Sequence, residues 1–99
     1  MAQVTPQADQ ASRIDRYLDY LVGEWEDIPQ VSDEWGEWED HDRLDFVVEW
    51  PIREDRLHQL REWGAQGLLT PEQQTRYDEL LQLIARHRPL LDRLLNEDA

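Results

Sequence analysis

Residues 69–73 read Leu-Thr-Pro-Glu-Gln, and this short stretch contains the signals with which a helix begins. Thr70 is a good N-cap, because its hydroxyl can accept a hydrogen bond from a backbone N–H of the first turn. Pro71 suits the first helical position, where its missing N–H costs nothing. Gln73 completes a capping box with Thr70. The stretch therefore predicts that a helix starts at residue 71.

The residues on both sides of this start signal have helical periodicity. Downstream, one broad apolar stripe consists of Tyr77, Leu80, Leu81, Ile84, Leu91, Leu94 and Leu95. Upstream, a second stripe consists of Ile52, Leu57, Leu60 and Trp63. Pro51 suits the first turn of the upstream helix, and Gly64 and Gly67 suit its end. Residues 51–99 are therefore predicted to form a helical hairpin.

The front half of the chain is also predicted to be mostly helical. One apolar face consists of Ile14, Tyr17, Leu18, Leu21, Val22 and Trp25. Ser12 is a candidate cap for this helix, and Pro29 is expected to end it. Ser32 is a candidate cap for a further short helix that carries two tryptophans. Trp50 precedes a proline, which disfavours helical geometry, so we expect a bend there.

Pro89 and residues 46–48 leave two details of this assignment open. Pro89 predicts a kink near Arg88, or two short helices in line, because proline cannot donate a backbone hydrogen bond. Leu44, Val47 and Val48 form a further apolar ridge, although Phe46-Val47-Val48 alone would also suit a short strand. The chain of 99 residues is predicted to be a single helical domain: an all-α, small bundle of four or five helices with a C-terminal helical hairpin.

The formal net charge is −13, and nearly all of the imbalance lies in residues 1–50. That half holds 14 Asp/Glu and 3 Arg, whereas residues 51–99 hold 9 Asp/Glu and 7 Arg. Such negative charge repels phosphates and anionic membranes, so neither direct nucleic-acid binding nor membrane binding is expected. The chain has no Cys, which excludes disulfides and thiolate chemistry. No signal-like N-terminus or membrane-length apolar run is visible, and we expect a cytoplasmic protein.

The pentapeptide Gly-Glu-Trp-Glu-Asp occurs twice, at residues 23–27 and 36–40. Residues 24–45 hold ten carboxylates, one Arg and three of the five Trp. In one interpretation the indoles are core anchors and the carboxylates a solvated face. In the other, the dense acidic patch with its indoles receives a cationic protein, because carboxylates pair with Lys and Arg while indole faces bind guanidinium groups. The second interpretation predicts a partner-binding surface of Glu34, Trp35, Glu37, Trp38, Glu39, Asp40 and Asp42.

The charge pattern favours a small protein-binding module that neutralises or masks a basic partner. Nucleic-acid-acting enzymes and toxins are the leading class of partner, because a cationic groove that binds phosphates also accepts carboxylates. Such a module would be an inhibitor of the antitoxin or nucleic-acid-mimic type. One alternative is a structural or assembly module that packs through its Leu-rich helices, with Leu83 and Leu90 available for a homodimer. Another is weak binding of divalent cations such as Ca²⁺.

A resemblance concerns residues 67–95, GLLTPEQQTRYDELLQLIARHRPLLDRLL, about a third of the chain. This segment resembles the C-terminal segment of small, acidic, antitoxin-like bacterial proteins, most of them uncharacterised. The resemblance implies a binding partner and no enzymatic activity. The chain departs from typical antitoxins because its N-terminal part has no basic DNA-binding module, so promoter autoregulation is not expected.

No catalytic, cofactor or metal site is predicted. Glu54, His58 and Glu62 recur every four residues and could offer metal ligands, but this spacing is equally typical of a solvated helix face. His41 stands between two aspartates, with the same ambiguity. No serine has a neighbouring base in the sequence, and no Gly-rich phosphate loop is present, so we do not expect an enzyme.

Overall fold

The computed structural model describes residues 6–97, in which nearly every residue is helical. The elements are α1 (Pro6–Glu26), α2 (Ile28–Glu34), a 3₁₀ turn (Trp35–Glu37), α3 (Asp40–Ala65) and α4 (Pro71–Glu97). The all-α class is confirmed, and the strand considered for residues 46–48 is wrong. The fold is built from three long helices, α1, α3 and α4, rather than from the four or five predicted, because α2 has only seven residues.

The predicted capping box starts α4. The backbone N–H of Gln73 donates to Oγ1 of Thr70 at 3.1 Å, and the Thr70 N–H donates to Oε1 of Gln73 at 3.0 Å. The Gln73 side chain is buried, and its Nε2 donates to the carbonyl of Ala11 at 3.0 Å and to Oδ1 of Asp15 at 2.9 Å. The residues that begin α4 therefore also fix its first turn against α1.

Gly67 ends α3, as the sequence predicts. Its φ is 74°, a conformation that an L side chain rarely adopts. The N–H of Gly67 donates to the carbonyl of Gly64, and the N–H of Leu68 donates to the carbonyl of Trp63, both at 3.0 Å. This pair of bonds is a Schellman motif, which satisfies the last carbonyls of the helix.

The predicted bend at Trp50 and helix start at Pro51 are wrong, because α3 runs through both residues. Trp50 is buried, with its ring centroid 5.2 Å from that of Trp25, whereas Pro51 lies on the exposed face. Packing on the core side therefore overrides the local preference of proline. The predicted division of the chain after Trp50 falls inside α3. Likewise, α4 continues through Pro89, so two helices in line are not formed.

Two predicted helix caps are also wrong, because Ser12 lies inside α1 and Ser32 inside α2. Pro29 is expected to end the first helix, but α1 already ends at Glu26, three residues earlier. Pro29 lies in the first turn of α2 instead. Helical structure resumes at once because Ile28 is buried in the core and anchors the next turn.

The core is formed by one face of each long helix. Its buried members include Ile14, Leu18, Leu21 and Trp25 of α1, Trp50, Leu60 and Trp63 of α3, and Leu80, Ile84 and Leu91 of α4. Helix α1 contacts α3 and α4 more extensively than those two contact each other. The helices of the predicted hairpin are therefore held together mainly through α1. The resulting molecule is elongated, with extents of 52 × 28 × 19 Å.

Candidate functional site

An open groove of about 580 Å³ lies beside the N-terminal half of α3. It is lined by Glu37, Trp38, Glu39, Asp42, Asp45, Phe46, Glu49 and Arg53. We name it the acidic aromatic groove after these residues. Five of the eight are carboxylates, and they surround two aromatic rings.

Two local structures bring these residues together. Five of the lining residues belong to α3, and each is three or four positions from at least one other, so they lie on one face of the helix: Asp42, Asp45, Phe46, Glu49 and Arg53. The chain leaves the 3₁₀ turn in extended geometry at residues 38 and 39, with ψ values of 145° and 154°. This extended step places residues 37–39 beside the first turns of α3, where they form the second wall.

The floor of the groove is a cluster of rings around Phe46. The Phe46 centroid lies 5.5 Å from Trp35, 5.9 Å from Trp38 and 5.4 Å from Trp50. The ring centroids of Trp35 and Trp38 are 5.5 Å apart. The ring of Trp50 also packs on that of Trp25, so the contacting rings form a series from Trp25 to Trp38. Such edge-on and tilted contacts are the favoured arrangements of aromatic pairs. The series runs from the core to the groove and fixes the position of Trp38.

Trp35 and Trp38 have different environments, although the sequence places both on the predicted surface. Only 4% of Trp35 is exposed, whereas Trp38 is half-buried. Trp35 therefore lies in the interior, as the core-anchor interpretation requires, and it supports the ring of Trp38. Its Nε1 is buried and has no hydrogen-bond partner within residues 6–97.

Arg53 shows what chemistry the groove offers to a guanidinium group. Its Cζ lies 5.2 Å from the ring centroid of Trp50 and 5.9 Å from that of Phe46. Its Nη1 donates to the carbonyl of Glu49 at 3.1 Å, and Nη2 lies 3.5 Å from Oε1 of Glu24. An arginine of the chain itself is thus held against aromatic faces and beside a carboxylate.

Four of the seven predicted partner-binding residues line the groove: Glu37, Trp38, Glu39 and Asp42. Glu34 instead accepts a hydrogen bond from Gln30 on α2, at 3.1 Å, and Asp40 pairs with Arg43. Sequence reasoning missed four lining residues: Asp45, Phe46, Glu49 and Arg53. The signal that could have found them is their spacing on one helical face, which becomes visible only when the helix is predicted to begin at residue 40.

The histidine clusters of the sequence have separate surroundings. His41 lies 3.4 Å from Glu39 and 3.3 Å from Asp42, all on the surface. Exposed acidic groups of this kind are common without a bound ion, so we assign no metal site to them. Glu54 accepts hydrogen bonds from Trp50 at 3.0 Å and from Arg88 at 2.9 Å, so it is already engaged by other groups.

Glu54 has an altered acidity. Partial burial alone would raise its pKa, but the hydrogen bonds from Arg88 and Trp50, together with the charge of Arg88, outweigh burial and lower the pKa. The Cζ of Arg88 also lies 5.0 Å from the ring centroid of Trp25. This network links α3 to α4 beside the core, and we assign it a structural role.

Comparisons with known proteins add no functional assignment. No protein-family model, curated protein or solved structure matches the chain. The resemblance of residues 67–95 to antitoxin-like proteins therefore stays a prediction. In the part of the chain that the structure describes, none of the helices is both long and apolar enough to cross a membrane. Leu83 and Leu90, considered for a homodimer, pack partly buried against the core.

Proposed function

We propose that the protein binds a basic partner protein through the acidic aromatic groove and so masks the cationic surface of that partner. The observation that carries this proposal is the convergence of five carboxylates on Trp38 and Phe46. Among residues 9–96, no Arg side chain forms an ion pair with any of these five carboxylates. Apart from the contacts of Glu39 and Asp42 with the exposed His41, their charge is therefore available to Lys and Arg groups of a partner. The rings provide faces for guanidinium groups.

The partner class that fits best is a nucleic-acid-acting enzyme or a toxin with a cationic groove. Side chains that bind phosphates also pair with carboxylates, so this chain would compete with the nucleic acid for the same surface. Inhibition would follow from occlusion, as for an antitoxin or a nucleic-acid mimic, without catalysis by this chain. The cytoplasmic location stays a prediction.

The test compares partner capture by the wild type with capture by two variants of equal charge. The groove variant carries Asp45→Asn and Glu49→Gln. The control variant carries Glu62→Gln and Asp92→Asn, which are exposed positions outside the groove. Each is immobilised and exposed to extract of the native cells at increasing salt, and captured proteins are identified by mass spectrometry.

We expect the wild type and the control variant to retain the same basic protein at low salt and to release it as salt screens the charges. The groove variant should retain much less of it. The captured protein should also lose its nucleic-acid-directed activity when the wild-type chain is added. Equal capture by the groove and control variants would show that only the total charge matters, and the groove would then have no role.

A further inference from the structure

Three large aliphatic side chains of α3 face solvent: Leu44, Val48 and Ile52 are 60%, 65% and 49% exposed. They are four residues apart, so they lie along one face of the helix. Single exposed aliphatic residues are ordinary, but an aligned series indicates an interaction surface. We name these three residues the aliphatic stripe. It covers about two helical turns, or about 12 Å.

The aliphatic stripe borders the acidic aromatic groove. Asp45 and Glu49 each follow a stripe residue by one position, which places them about 100° further round the helix. Both residues also line the groove. A ligand lying on the stripe therefore meets carboxylates along one of its edges, and beyond them the ring of Trp38.

We propose that the partner presents an amphipathic basic helix to this surface: its apolar face covers the aliphatic stripe, and Arg or Lys side chains on one flank reach into the groove. This inference rests on the proposed function and specifies the chemistry of the partner. Helices commonly dock through residues that recur at i, i+4 and i+7. An added strand has no template here, because residues 6–97 contain no sheet edge.

A second copy of the chain is a poorer occupant of the aliphatic stripe. Each copy has a formal net charge of −13. Packing two stripes together would bring Asp45 and Glu49 of one copy close to acidic residues of the other, and like charges at an interface weaken association. A cationic helix has the opposite effect, since it neutralises the acidic border.

Two synthetic peptides of identical composition test the inference, together with the groove variant. In the amphipathic peptide, Leu residues occupy one helical face and Arg residues one flank of it. In the shuffled peptide, the same residues are distributed around the helix. Binding of each to the full chain is measured by calorimetry. Val48→Ser removes the centre of the stripe, and far-UV circular dichroism verifies that the helices persist.

We expect the wild type to bind the amphipathic peptide about tenfold more tightly than the shuffled one, because burial of the stripe adds to the ionic attraction. Val48→Ser should abolish most of that difference and leave the shuffled peptide unaffected. The groove variant should weaken the binding of both peptides.

Other outcomes separate the two proposals. In one outcome, both peptides bind equally, Val48→Ser has no effect, and the groove variant binds both more weakly. That result would overturn the helix-docking inference and leave the proposed function standing. Unchanged binding of both peptides to the groove variant would overturn the proposed function, and the inference with it. A wild-type dimer in sedimentation that Val48→Ser converts to a monomer would assign the stripe to a second copy and overturn the inference.

Discussion

At the scale of single residues, Gln73 stabilises the fold in two ways with one amide group. Its Oε1 caps the first turn of α4 and its Nε2 binds α1. Gln73→Glu keeps the capping oxygen but replaces the donor with a carboxylate oxygen beside Asp15. We expect this change to lower the free energy of unfolding by about 2–3 kcal/mol. Urea denaturation measures the difference.

Thr70→Ala is the comparison for Gln73→Glu, since it removes only the capping hydroxyl. Its expected cost is about 1 kcal/mol. If Gln73→Glu proves no more destabilising than Thr70→Ala, the bonds to α1 contribute little, and capping alone explains the burial of this glutamine.

The lowered pKa of Glu54 should make the free energy of unfolding depend on pH. Its pKa in the folded protein is below the usual value of 4.5. Its contribution is therefore fully present above pH 4.5 and is lost as the pH falls through the lowered pKa. Glu54→Gln should thus be less stable than the wild type at neutral pH, and the difference should shrink in acid. Thermal unfolding across pH measures this, with the exposed Glu62→Gln as control; a gap that persists in acid would contradict the ionic origin.

Residue-level predictions succeed where the signal is local. Thr70 and Gln73 bond to each other within one turn, so the capping box can be identified from four consecutive residues. The bonds from Gln73 to Ala11 and Asp15 cannot, because they depend on how two distant helices pack. The same limit applies to Trp35 and Trp38, whose burial is decided by a 3₁₀ turn and by Phe46.

At the scale of helices, α3 contains a proline in its interior. Pro51 has no N–H to donate to the carbonyl of Val47, one turn earlier. Pro51→Ala restores this donor at an exposed position and should raise the free energy of unfolding by about 1–2 kcal/mol. Pro71→Ala is the matched control, because at the start of α4 no hydrogen bond is missing, and its effect should be small. Urea denaturation with circular dichroism compares them; destabilisation by Pro51→Ala would show that α3 requires the proline.

The course of α3 could not be predicted because its stabilising contacts are non-local. The sequence around Pro51 favours a break, but Trp50 packs on Trp25 and donates to Glu54, which in turn binds Arg88 on α4. This error also hid half of the candidate site. A helix start at residue 51, with a strand left open for residues 46–48, does not place Asp45 and Glu49 on one face with Asp42.

At the scale of the whole molecule, the groove carboxylates should oppose folding in the absence of a partner. Like charges in the compact state repel each other. The groove variant should therefore be more stable than the wild type at low salt, by about 0.5–1 kcal/mol, and the gain should fall as salt screens the charges. Thermal unfolding at two salt concentrations measures both effects.

Asp19→Asn is the contrasting control for the groove variant, because Asp19 forms an ion pair with Arg76 at 2.6 Å. It removes a favourable interaction and should bring no gain. A groove variant that is less stable than the wild type at low salt would mean that Asp45 and Glu49 have stabilising contacts in the free protein.

The all-α class was predictable because apolar residues recur at helical spacing through most of the chain. The arrangement of the helices was not, since periodicity identifies a buried face without naming what covers it. The sequence predicts that the stripe of α4 packs in a hairpin with the preceding helix, yet Leu80 and Ile84 share one core with Leu18 and Leu21 of α1.

The series of rings from Trp25 to Trp38 makes the molecule its own optical reporter. Neighbouring centroids along it are 5.2–5.5 Å apart. Trp35 and Trp38 are in direct contact, so light energy absorbed by the buried indole passes to the one at the groove. A quencher that touches Trp38 alone would therefore also dim the emission of Trp35.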